Sequence, residues 1–189
     1  GVHNNSNEVT KMVNEQTEIA VLVTAPIIIG MVSFIDLVVR IFYSKEFGPT
    51  AEILDWQLVG DFFKVLAWPM GFVLLAKGKG KLYIVTEVSW YLLYFLGVYV
   101  GWNTFNLQIT GIAFLAAYLL YMLLLLVVTK NMINFRWSKN VKINISVFIP
   151  ILVSVFLCVK FLPKETRFII CGILTLAAGA FSLFQLKDV

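Results

Sequence analysis

Asp61 and Lys64 stand three residues apart in an otherwise apolar stretch, with Trp68 four residues further on. In a helix that spacing puts all three on one face. An ammonium held in an apolar interior is a natural partner for a phosphate, and its flexible stem lets it follow a ligand that moves. Glu87 heads a second group, with Tyr83, Trp90, Tyr91 and Tyr94 at i−4, i+3, i+4 and i+7. Rings with polar tips around a carboxylate suit the hydroxyls and faces of sugars. Asp36 and Arg40 form a third group at i, i+4, where a carboxylate and a guanidinium can meet. The candidate binding residues are therefore Lys64, Asp61, Glu87, Arg40, Asp36, Trp68 and Tyr91. Plainer readings stand beside these: Lys64 neutralises Asp61 and does nothing else, Asp36 and Arg40 neutralise one another, and the rings around Glu87 belong to an interface belt.

The chain offers little for catalysis. Its one His, His3, lies in a polar tail, and its two Cys, Cys158 and Cys171, lie inside apolar runs. That inventory supplies neither a zinc site nor a His-based triad. There is no DD or DxD pair to hold Mg²⁺. No catalytic residue, metal or cofactor is expected, and the chain does not read as an enzyme. The two Cys read as small buried hydrophobes, not a disulfide.

The charged residues are unusual because of what surrounds them. Of 189 residues, 60% are hydrophobic and 14% charged, and the mean hydropathy is +0.87. A water-soluble domain is closer to half apolar and a quarter charged. An all-α integral membrane protein follows, and the net charge of +4 says nothing of nucleic acid. A bilayer core about 30 Å thick needs about 20 apolar residues in helix. Six such runs occur: Ile19 to Tyr43, Val59 to Ala76, Leu82 to Val100, Ile109 to Val128, Ile143 to Phe161 and Phe168 to Phe184. Charges inside spans cost about 2.5 to 3.5 kcal/mol each on insertion scales, which makes them functional candidates by default.

Summed by side, the connecting segments carry nine Lys or Arg against five. The richer side holds both termini, the KGKGK turn (Lys77, Lys79, Lys81) and the segment with Lys130, Arg136, Lys139 and Lys142. The positive-inside rule places that side in the cytoplasm. The expected organisation is an interfacial helix over residues 1–18 that runs into the first span, four spans over 19–128, a basic linker over 129–142 and a terminal hairpin over 143–189. FGPTAEILDWQ, on the far side, reads as a short surface helix entered through Gly48 and Pro49. Gly111 with Ala113, Ala116 and Ala117, and Gly172 with Ala177 to Ala180, read as faces for close helix packing. The chain begins with Gly and not Met, and is expected to be a piece of a longer protein.

The order FYSKEF followed by Ala51, GDFFKVLAW opening the next helix, LLAKGKGKLY closing it, and then the Gly-initiated ITGIAFLAAYLLY resembles the C-terminal half of Wzx-type O-antigen and polysaccharide flippases. These belong to the multidrug/oligosaccharidyl-lipid/polysaccharide exporter superfamily. The resemblance covers Asn14 to Ser138. It implies a bacterial inner-membrane protein in which this chain is the later part of the second of two lobes, lacking the N-terminal lobe. It further implies alternating-access flipping of undecaprenyl-diphosphate-linked oligosaccharide for O-antigen, capsule, exopolysaccharide or lipopolysaccharide synthesis. Lipid-linked oligosaccharide, membrane lipid and polysaccharide polymerase machinery are the expected partners. Asp61 and Lys64 carry over through GDFFK; Asp36, Arg40 and Glu87 rest on the span reading. The alternatives are a cation-coupled multidrug extruder of the same superfamily and a non-catalytic membrane assembly subunit.

Overall fold

Hydrocarbon offers the backbone no water to bond, so a long apolar run satisfies its N–H and C=O groups inside a helix or a closed barrel. The computed structural model describes residues 2–42 and 50–187, with side chains from residue 6 onward. It contains α1 (Val2–Ser33), α2 (Ile35–Phe42), α3 (Thr50–Ala76), α4 (Gly80–Phe105), α5 (Ile109–Ile133), α6 (Lys139–Phe161) and α7 (Lys164–Leu186), and no strand among the described residues. The protein is an all-α membrane protein. Five helical stretches are long and apolar enough to cross a membrane, and one of them, Gly80–Ile133, has 54 residues. Straight, it would measure roughly 80 Å. It instead folds at a 3₁₀ turn, Asn106–Gln108, where Asn106 takes a positive φ of 48°. The two arms, α4 and α5, pack on each other so closely that a Cβ at Gly97 would lie 3.0 Å from that of Ala113. Counting the two arms separately gives six such helices among the described residues.

Local chemistry sets the turns. After α3, Gly78 at φ +68° lets its N–H reach the Leu75 carbonyl at 2.9 Å and the Lys79 N–H reach that of Leu74 at 2.8 Å. This Schellman closure uses the left-handed residue that glycine adopts without strain. Asn134, also left-handed, closes α5. The Ser138 hydroxyl accepts from the Val141 N–H at 3.2 Å and caps α6.

Two boundaries differ from the sequence expectation. The first apolar run breaks at Phe34 into α1 and α2, instead of continuing as one helix. FGPTAEILDWQ is not a separate surface helix: from Thr50 onward it is the first part of α3. Its Asp55 is buried at 3% exposure and is neutralised by Lys160, 3.1 Å away, so the helix continues past it. The Gly48–Pro49 entry and most of FYSKEF lie outside the described residues.

The core lies between α1, α3, α5, α6 and α7, around Leu22, Ile29, Phe62, Leu66, Met70, Leu125 and Phe148. α3 packs most extensively on α5. A Cβ at Gly111 would come 2.5 Å from the Ile53 carbonyl oxygen, and one at Gly60 would come 2.7 Å from Phe114. The small-residue face at Gly111 is therefore a true close approach. Gly172 and Gly179 are not; no described atom lies within 4 Å of a Cβ at either. The terminal hairpin α6–α7 docks on α1. The Asn14 amide donates to the Arg136 carbonyl at 3.1 Å and accepts from the Ser138 N–H at 2.7 Å. The Ser33 and Thr175 hydroxyls bond at 2.8 Å, and the Ser182 hydroxyl donates to the Leu22 carbonyl.

Candidate functional site

α3 is 27 residues long, and Lys64 sits near its middle. Its Nζ lies 3.8 Å from Asp61 and 5.0 Å from the ring centre of Trp68. From α5, Tyr118 and Phe114 bring their rings to 5.5 and 6.0 Å. Ring faces are negative, so three of them and a carboxylate hold the ammonium in place of water. The Lys64 side chain keeps 28% of its surface open. That surface faces a cleft of about 230 Å³ between α1 and α3, lined by Thr24, Ile27, Ile28, Asp61, Val65 and Trp68.

Trp68 also walls a second cleft. This one, about 280 Å³, is bounded by Gly71, Phe72, Tyr83, Glu87 and Tyr121. The Tyr121 hydroxyl donates to Glu87 at 2.5 Å, which fixes the carboxylate's orientation and leaves its remaining lone pairs as acceptors. Trp90 anchors this wall against α5 through Tyr118, 4.7 Å away, and Phe114, 6.1 Å away. The two clefts together offer a cation on one side of an indole and a hydrogen-bonded carboxylate on the other.

The structure thus brings Asp61, Lys64, Trp68 and Glu87 into one region and leaves the other candidates elsewhere. Tyr91 stands edge-on to Trp90 at 4.6 Å, 52% exposed, and lines neither cleft. Asp36 lies at the far end of the bundle, where Arg167 donates to it at 2.6 Å. Among the described residues its ion pair is with Arg167 and not with Arg40, because Arg40, though one turn away, points outward and is exposed. Sequence reasoning missed Phe114, Tyr118 and Tyr121. Their signal was present as aromatic residues at i, i+4 and i+7 in an otherwise aliphatic run. It also missed Asp55, Lys160 and Arg167, whose partners are more than a hundred residues distant.

The chain is similar to a flippase. Over 67 residues, 35% of this chain and 16% of the relative, it is 36% identical to the Lipid III flippase of Escherichia coli K12, and it matches the Shigella flexneri protein of that name equally well. Over 143 residues, 75% of this chain and 28% of the relative, it is 27% identical to the teichuronic acid biosynthesis protein TuaB of Bacillus subtilis. The matched stretches are thus less than a third of the length of these curated relatives. No protein-family model matches the chain, and no solved structure shows a significant match.

Proposed function

We propose that this chain belongs to a polysaccharide flippase of the exporter superfamily, as the later part of its second lobe, and translocates lipid-linked oligosaccharide across a bacterial inner membrane. The observation that carries the reading is Lys64: a mid-span ammonium, half-satisfied by one carboxylate and three ring faces, open to a cleft. The partial similarity to a lipid III flippase and to a teichuronic acid biosynthesis protein supports it. A diphosphate and several sugars cannot cross hydrocarbon unaided, whereas a polyprenyl tail stays in lipid. Lys64 offers the diphosphate a counter-charge at mid-membrane, and the Glu87 cleft offers the sugars acceptors and a ring face. Alternating access, by rocking against an opposing lobe, then carries the head group between the two sides. Such translocation needs no covalent step.

The test is in cells making a surface polysaccharide. Lys64→Ala should strongly reduce surface polysaccharide at near-normal protein level, and Lys64→Arg should retain part of it, since a guanidinium also stacks on Trp68. If Lys64 only neutralises Asp61, then Asp61→Asn combined with Lys64→Ala restores what the single change removes. Full restoration would exclude Lys64 from substrate binding.

One observation favours a second reading, a cation-coupled extruder: Glu87 between Trp68, Tyr83 and Tyr121 is also a fitting seat for an organic cation. Efflux of cationic dyes that is lost in Glu87→Gln would select it over the flippase.

A further inference from the structure

Away from these clefts, the terminal hairpin holds the chain's two cysteines, and both are free thiols. α6 and α7 run antiparallel, joined by the short turn at Leu162 and Pro163. Phe148 of α6 meets Phe181 of α7 with ring centres 5.5 Å apart, which fixes the register of the pair. Ten residues on from Phe148 is Cys158, and ten residues back from Phe181 is Cys171. Each step is about 15 Å along its own helix, so the two cysteines stand at one depth. Their side chains also meet: the two thiols are hydrogen-bond partners. Backbone contacts hold both in place. The Cys158 carbonyl accepts from the Leu162 N–H at 3.0 Å and closes α6. The Cys171 carbonyl accepts from the Ser33 hydroxyl of α1 at 3.4 Å and from the Thr175 hydroxyl at 2.8 Å. Cys171 is fully buried, whereas Cys158 is partly exposed.

We infer that Cys158 and Cys171 are an oxidisable pair that closes into a disulfide across the α6–α7 hairpin. A disulfide needs two nearby Cα atoms and side chains directed at each other, and equal depth with thiols in contact meets the second demand without moving a helix. No group of three acidic, His or Cys side chains exists among the described residues, so the pair is a dithiol and not part of a larger metal cluster. The oxidant is itself a disulfide. The Cys158 thiolate, on the open side, attacks one sulfur of the oxidant and releases the other as a thiolate; the Cys171 thiolate then attacks Cys158 Sγ and releases the second. The two cysteines give up two electrons and two protons, and the oxidant takes both to become two thiols. The new bond closes a loop of twelve intervening residues, which restrains mainly the unfolded hairpin. In the orientation proposed from the basic loops this end lies outside the cytoplasm, where disulfides persist. The inference rests on that orientation for the compartment and not for the chemistry.

The experiment uses the intact protein purified in detergent, treated while folded with dithiodipyridine, a disulfide that partitions into apolar surroundings, and then freed of it. Thiols are counted by maleimide labelling after unfolding, and the intact mass is measured. The inference expects both thiols to be lost, a mass lower by two hydrogens with no oxidant attached, and return of both thiols with dithiothreitol. The oxidised protein should also melt several degrees above the reduced one. Cys158→Ala and Cys171→Ala should each keep a single cysteine, free or carrying an oxidant adduct, and should melt alike with and without oxidant. Should one variant fail to fold, the other supplies the same comparison. Two thiols still free after exhaustive treatment, stable oxidant adducts on the wild type, or bonds between chains in place of the internal one would overturn the inference. None of these results bears on Lys64 or on flipping.

Discussion

Asp55 and Lys160 illustrate how a single pair of charges enters an apolar bundle. The Asp55 side chain is 4% exposed and that of Lys160 26%, with 3.1 Å between them. Trp56 and Phe156 present ring faces to the same ammonium at 5.9 and 5.6 Å. Removing one member of a buried pair leaves the other's charge uncompensated, at a cost of about 3 kcal/mol or more, whereas replacing both by apolar residues is often neutral. Asp55→Ala should therefore lower the melting temperature markedly, and Asp55→Leu with Lys160→Met should recover most of the loss. Equal loss in the single and double variants, read by thermal melting in detergent, would show that the pair's polar bonds themselves stabilise the fold. Arg167 and Asp36 lie within electrostatic reach of Asp55, but the Asp36 side chain is 43% exposed, so breaking that pair should cost less. Lys64 differs from Lys160 in having its carboxylate on its own helix, and at 3.8 Å instead of 3.1 Å. That difference is why Lys64, and not Lys160, is the candidate for a moving ligand.

At the scale of elements, the bundle depends on where backbones touch. In a membrane no hydrophobic force draws helix to helix, so packing of small residues supplies much of the association. α3 and α5 meet at Gly111, where an added Cβ would strike the Ile53 carbonyl at 2.5 Å and Trp56 Cβ at 2.9 Å. A backbone carbonyl cannot rotate away, so Gly111→Ala should destabilise by about 1 to 3 kcal/mol, the usual cost of overpacking. Gly179→Ala, which meets nothing within 4 Å, should melt like the wild type or slightly higher, because alanine favours helix. Paired melting curves check both; an unaffected Gly111→Ala would mean that α3 and α5 separate at little cost. Because α3 carries Lys64 and α5 carries Tyr118 and Tyr121, loosening this seam should also reduce the proposed transport. The glycines were visible in the sequence as small-residue faces, but which of them is a contact was not. Gly111 and Gly172 look alike in sequence, and only the partner's backbone distinguishes them.

At the scale of the whole molecule, the proposed topology of six crossings puts the KGKGK turn, the linker before α6, the start of α1 and the end of α7 on one side, and the α4–α5 and α6–α7 turns on the other. The proposed orientation has the basic side in the cytoplasm. Single cysteines at Thr50 and Gly78 in a background lacking Cys158 and Cys171 test it. A membrane-impermeant thiol reagent added to intact cells should label Thr50→Cys and not Gly78→Cys; the reverse pattern would invert the topology.

The all-α membrane class and the shared face of Asp61, Lys64 and Trp68 were determined by sequence alone. So was a turn at KGKGK, though not its closure at Gly78. Each rests on a property local to the chain: apolar run length against bilayer thickness, the 3.6-residue period, and glycine's access to positive φ. Only the tertiary structure decided that Tyr121 binds Glu87, that Arg167 and not Arg40 binds Asp36, and that Asp55 is buried against Lys160. It also decided that Glu18 Oε1 and the Asn144 amide are buried with no hydrogen-bond partner among the described residues. Helical periodicity tells which residues share a face, but not which face meets which. In an apolar solvent almost every face is equally soluble, so that choice falls to close backbone approaches and to a few charges, and these become visible only when distant helices are brought together.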